Sequence, residues 1–90
     1  MTAVLIAYDL HAPGQSYESL SDKIKSYGTW AKILESTWIV AGSAVSAQGV
    51  YEEQRPILDD NDNIFCVEID GEARQGWLPK QQWDWIRKQV

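Results

Sequence analysis

The run Ala3-Val4-Leu5-Ile6-Ala7-Tyr8-Asp9-Leu10 constrains the fold more than any other stretch of the chain. Its apolar residues are consecutive rather than alternating, the pattern of a central strand covered on at least one face. It also ends in a carboxylate. A strand end is held rigid by the sheet, while the following loop leaves its side chain accessible. An aspartate there is placed either to bind a metal ion or to orient the loop.

The remaining elements follow from spacing and turn chemistry. His11-Ala12-Pro13-Gly14 reads as a loop, and Ser16 as a helix N-cap. Tyr17, Leu20, Ile24 and Tyr27 then recur at helical spacing, with Glu18, Asp22, Lys23 and Lys25 on the other side and Gly28 placed to end the helix. Residues 29–34 alternate, with Trp30, Lys32 and Leu34 opposite Ala31 and Ile33. Residues 37–41 alternate too, with Trp38 and Val40 opposite Ile39. Glu35-Ser36 is short enough for a hairpin turn but lacks the favoured Gly or Asn, so one strand bent near Ser36 is the competing reading. Residues 46–55 read as a second helix, weakened by Gly49 and ended or kinked by Pro56. Residues 59–63 are a polar turn. Residues 64–69 are a strand with Phe65, Val67 and Ile69 on one face, and Asp70-Gly71 turns the chain. Pro79 suits the first position of a terminal helix over residues 80–89, which carries Trp83, Ile86 and Val90 on one face.

At 90 residues the chain is a single domain, residues 1–90, with one modest core that a partner subunit would supplement. Its 5 Trp and 4 Tyr are large apolar groups of the kind enriched at interfaces. The net charge of -5 argues against broad electrostatic binding of nucleic acid, which needs clustered cations to displace phosphate counterions. Local basic patches remain available at Lys23, Lys25 and Lys32, or at Lys80, Arg87 and Lys88. A single cysteine, Cys66, excludes an internal disulfide framework. No apolar run approaches the roughly 20 residues of a membrane span, and no charged-then-apolar leader opens the sequence. The expectation is a soluble, cytoplasmic protein that does not enter a membrane.

The element order β-α-β-β-α-β with an added C-terminal helix is that of a ferredoxin-like α+β domain, four antiparallel strands with two helices on one face. That topology sets strands three and four on either side of strand one. It gathers Asp9, His11, Ser36, Asp60 and Asp62 at one end of the sheet. Hard cations such as Mg²⁺ take oxygen ligands, and a carboxylate-held metal can activate water against a phosphodiester. Each candidate also has a plainer role. Asp9 can accept amides of its loop, His11 can be an exposed loop histidine, and Ser36 can be a turn residue. Residues 59–63 lack the glycine and later glutamate of a calcium loop. Cys66 reads as a packed thiol, and Trp77, Trp83 and Trp85 as sheet or dimer packing rather than a base-stacking platform. No phosphate-binding glycine loop, zinc spacing or Ser-His-Asp set is present.

The segment Val4-Leu5-Ile6-Ala7-Tyr8-Asp9-Leu10, a helix, and then Ser36-Thr37-Trp38-Ile39-Val40 resembles CRISPR-associated protein two and the related VapD-type proteins. The Tyr8-Asp9-Leu10 start, Ser36-Thr37-Trp38 and the Trp-rich stretch from Gly76-Trp77-Leu78-Pro79 to Trp83-Asp84-Trp85-Ile86 are similar to a small bacterial branch labelled SinR-like. The resemblance covers nearly the whole chain in short motifs. It implies a homodimer in which two sheets pack together and the Asp9 carboxylates meet across the two-fold axis to share Mg²⁺ or Mn²⁺. It makes Asp9 the metal ligand, and Asp9 and Ser36 the catalytic pair, of a nuclease acting on RNA or DNA. Members of that family also serve as ribonuclease toxins or as non-catalytic scaffolds. The second expectation is therefore an inert dimeric module that binds a protein partner in a defence or toxin–antitoxin system. Unlike the nucleases, this chain is acidic and has no arginine in Trp30-Ala31-Lys32-Ile33-Leu34.

Overall fold

The computed structural model describes residues 1–11 and 17–90. The elements run β1 (Thr2–Asp9), α1 (Glu18–Lys25), β2 (Thr29–Leu34), β3 (Thr37–Gly42), α2 (Ala47–Gln54), a 3-10 turn (Arg55–Ile57), β4 (Asn63–Glu68) and α3 (Lys80–Gln89). The fold is α+β: a four-stranded antiparallel sheet in the order β2-β3-β1-β4, with three helices among the described residues. No helix among them is long and apolar enough to cross a membrane.

Strand β1 is continuous in its apolar character because both of its faces are covered. Val4, Ile6 and Tyr8 pack with Leu20 and Ile24 of α1, Val50 of α2, and Trp38 and Val40 of β3. Ala3 and Leu5 lie on the other face with Ile39 and Ala41, under Trp83 and Ile86 of α3 and Val90 just beyond it. Ile6 and Ile24 are fully buried, which stabilises the fold by roughly 2–3 kcal/mol for each side chain. α3 also bonds to β2: Gln82 Nε2 donates to the Lys32 carbonyl at 2.9 Å, and Trp85 Nε1 donates to Thr29 Oγ1 at 3.1 Å.

Turn chemistry decides the remaining boundaries. β2 and β3 form a hairpin through Glu35-Ser36 rather than one bent strand. No non-glycine residue among those described has positive φ, so the turn cannot take the left-handed geometry that matches strand twist. The ladder compensates by slipping one residue, Lys32 facing Trp38 but Leu34 facing Thr37, which leaves Ile33 as the extra residue of a bulge. Gly28 ends the α1 turn at φ +118°, and an added Cβ would sit 3.0 Å from the Ala41 carbonyl oxygen, so a side chain there is excluded twice over.

The expected cap at Ser16 lies outside the described residues; Tyr17 occupies the N-cap position of α1 without a side-chain capping bond. Ser46 caps α2 by accepting from the Gly49 amide at 3.0 Å. A Cβ on Gly49 would come within 3.0 Å of that same Ser46 oxygen. The glycine that lowers helix propensity thus leaves room for the cap. Pro56 follows the end of α2, inside the 3-10 turn. Pro79 stands one position earlier than expected, as the N-cap of α3, with extended ψ of 149°.

Candidate active site at the Asp9 end of the sheet

The last pair of the β1–β4 ladder is Asp9 with Asn63. Beside it the β2–β3 turn closes on β1, as the Tyr8 amide donates to the Ser36 carbonyl at 3.1 Å. This bond fixes Ser36, far along the chain, against the end of β1. Asp9 and Ser36 thereby line one shallow depression of about 320 Å³, together with Ala7, Tyr8, Thr37, Asn63, Ile64 and Phe65. Asp9 is exposed, and its carboxylate makes no hydrogen bond or ion pair among the described residues. Phe65, on the rim, leaves 64% of its surface to solvent.

Among the residues that line this depression, Asp9, Ser36, Thr37 and Asn63 carry hard side-chain oxygens. Mg²⁺ is commonly bound through one or two carboxylates with water completing its shell, so this donor set fits Mg²⁺ or Mn²⁺ better than a softer ion. Among the described residues, no group of three or more His, Cys, Asp or Glu is placed to hold a metal. Asp9 is the one carboxylate among the described residues that line this depression.

The other acids of this end of the sheet have a different use. Asp62 is buried. Its carboxylate accepts the His11 amide at 2.6 Å, the Asp59 amide at 2.9 Å and the Tyr17 hydroxyl at 3.0 and 3.1 Å. Burial alone would raise its pKa, but the two amides and the hydroxyl outweigh that and hold it below the ordinary carboxylate range. Asp62 ties the loop after β1, the start of α1 and the turn before β4 to one point. Asp60 points away, fully exposed, and pairs with Arg55 at 3.3 Å. His11 enters this knot through its backbone amide, which anchors the loop after β1. Of the five residues that topology gathers at this end, Asp9 and Ser36 share the depression, while Asp60 and Asp62 are engaged in holding the turn.

Thr37, Asn63 and Phe65 are site residues that sequence reasoning passes over. Asn63 is accessible to it in principle, since pairing β4 antiparallel to β1 brings it opposite Asp9. Cys66 packs against the helix-side core, and burial pushes its thiol up to about 11, which makes it a structural thiol rather than a nucleophile. Trp83 and Trp85 pack on the α3 side of the sheet, whereas Trp77 is fully exposed.

Compared with family models, with curated proteins and with solved structures, the chain finds no match in any of the three.

Proposed function

We propose that the protein is a ferredoxin-like domain of the CRISPR-associated protein two and VapD type that works as a homodimer and cleaves RNA or DNA with Mg²⁺ or Mn²⁺. The strand order, with β3 and β4 flanking β1, supports the fold reading. The observation that carries the function is the meeting, in one open depression, of Ser36 with an Asp9 carboxylate that has no hydrogen-bond or ion-pair partner among the described residues. Asp9 of each protomer would hold the metal, and the bound ion would supply an activated water and charge neutralisation at a phosphate. Ser36 and Thr37 offer hydroxyls to orient phosphate oxygens, and Asn63 offers an amide for the same purpose. α3 already covers the sheet face over β2 and β3. Two copies would therefore meet at the Asp9 end, where exposed Phe65 stands beside the carboxylate.

The test is degradation of labelled RNA and DNA by wild type and Asp9→Ala, with Mg²⁺, with Mn²⁺ and with chelator. Expected are metal-dependent cleavage, its loss in Asp9→Ala, and a decrease of roughly ten- to a hundredfold in Ser36→Ala. Light scattering is expected to give twice the 10.2 kDa chain mass. A second reading, an inert dimeric scaffold for a protein partner in a defence or toxin–antitoxin setting, is favoured by the net charge of -5 and the full exposure of Trp77. Absence of cleavage by wild type in either metal would decide for it.

A further inference from the structure

We propose that Lys25, Trp30 and Lys32 form a track for single-stranded nucleic acid, an inference that does not rest on the nuclease reading. Of the 8 lysines and arginines, Lys23, Arg55, Lys80 and Arg87 are spent in ion pairs with carboxylates. Lys25 and Lys32 pair with no carboxylate among the described residues. Each ammonium lies instead over an indole, Lys25 at 5.2 Å from the centre of Trp30 and Lys32 at 5.5 Å from that of Trp38. The nearest acids along the chain, Asp22 and Glu35, pair with neither.

The aromatic half of the surface is rigid. Trp38 is buried, and its Nε1 donates to the Tyr8 hydroxyl at 2.9 Å. Trp30 leans on it, ring centres 5.5 Å apart and planes tilted by 53°, yet keeps 39% of its surface exposed. Trp30 and Lys32 face Val40 and Trp38 across the β2–β3 ladder, so both project on the side of α1, from which Lys25 reaches over. The result is the Trp30 indole backed by Trp38, with the Lys25 ammonium over its ring, the Lys32 ammonium over Trp38, and neither cation paired with a carboxylate among the described residues. An unpaired base that displaces the Lys25 ammonium stacks on the Trp30 ring, and the released ammonium is then free to meet a phosphate of the same strand. A duplex buries the faces of its bases, which is why the track selects single strands. Trp30 and Lys32 lie on the α1 face of the sheet, whereas Asp9, Thr37 and Phe65 of the depression continue the row of Leu5 and Ile39 on the α3 face, so the track is a binding surface separate from the depression. The net charge of -5 does not oppose binding there, because the interaction is local and short-ranged at physiological salt.

The test is fluorescence anisotropy of labelled oligouridine, oligothymidine and a duplex of equal length, in chelator, at several salt concentrations. Wild type is expected to bind both single strands more tightly than the duplex. Lys25→Gln/Lys32→Gln is expected to weaken binding by about tenfold or more and to lower the salt slope by about 1.4, or about 0.7 for each phosphate no longer neutralised. Trp30→Leu, which keeps an apolar cover on Trp38, is expected to bind about tenfold more weakly with the slope unchanged. Preference for the duplex, no saturable binding at low salt, or unchanged binding by the double lysine variant would overturn the track. Binding in chelator by the Asp9→Ala protein separates the two readings. If the strands bind but no protein cleaves, the track stands without the nuclease. If wild type cleaves and the lysine variant binds normally, the track alone falls.

Discussion

Asp62 and Asp9 stand at the same end of the sheet, Asp62 directly preceding Asn63, the ladder partner of Asp9. Their surroundings are opposite. Asp62 is buried and takes bonds from the His11 amide, the Asp59 amide and the Tyr17 hydroxyl. Asp9 is exposed, beside a depression, with no such partner among the described residues. A carboxylate whose acceptor sites are filled by backbone donors serves to fix the loop, and a cation would have to displace those donors to reach it. A carboxylate at a strand end with its oxygens unfilled is positioned by the sheet and still open to a ligand. Proximity to a site is therefore a weaker guide than the occupancy of the lone pairs.

The largest effects should separate along this line. Asp9→Ala should abolish metal-dependent cleavage and leave the melting temperature within about a degree of wild type, since the side chain makes no hydrogen bond or ion pair among the described residues. Asp62→Ala should do the reverse, lowering the melting temperature by on the order of 5–10 °C as three donors lose their acceptor. Its activity measured well below that melting point should be largely kept. Calorimetry on both proteins, together with the cleavage assay, checks the pair. A stability loss in Asp9→Ala as large as that in Asp62→Ala would erase the distinction.

Acid sharpens it further. Because folded Asp62 ionises below the ordinary carboxylate value, the unfolded chain takes up a proton first as pH falls. Its stabilisation is complete above the unfolded value of about 3.9 and is lost as pH drops through the lower folded value. Asp62→Asn should therefore be less stable at neutral pH and should lose less stability below about pH 4. Asp84, lowered by its hydrogen bond to Lys80 and by Arg87, keeps contributing to the acid limb of both proteins. Denaturant titrations across this range, in which the variant ran parallel to wild type, would remove Asp62 from the account of acid sensitivity.

Much of the fold is legible because its signals are local. The unbroken apolar run of β1 reports burial on two faces, and Trp83, Ile86 and Val90 recur at the spacing that seats α3 on the sheet. Features that depend on distant partners are not legible. The slip at Ile33 arises from a turn without glycine, where the sequence permits either a hairpin or a bend. Alternation puts Phe65 with Val67 on one side of β4, but it does not say which part of that side a later helix covers. α3 lies over β2 and β3 and leaves Phe65 bare. Asp62 looks like one acid among several because its clamp needs Tyr17, 45 positions away. Periodicity counts Tyr17 only as part of the apolar stripe of α1.

The Tyr17 hydroxyl gives the smallest and most selective test of the comparison. It bridges both oxygens of Asp62, at 3.0 and 3.1 Å, while its ring packs against the helix-side core. Tyr17→Phe keeps the ring and removes one of three donors, so the melting temperature should fall by on the order of 2–4 °C. The Asp62 carboxylate should also titrate at a higher pH than in wild type, because one of the bonds that favour its charged form is gone. Carboxylate NMR on labelled protein reads that shift directly. Neither Tyr17 nor Asp62 lines the depression at Asp9, so cleavage per folded molecule should be unchanged. A loss of cleavage in Tyr17→Phe without a loss of stability would show that the knot around Asp62 belongs to the site after all, and that filled lone pairs do not exclude a carboxylate from its chemistry.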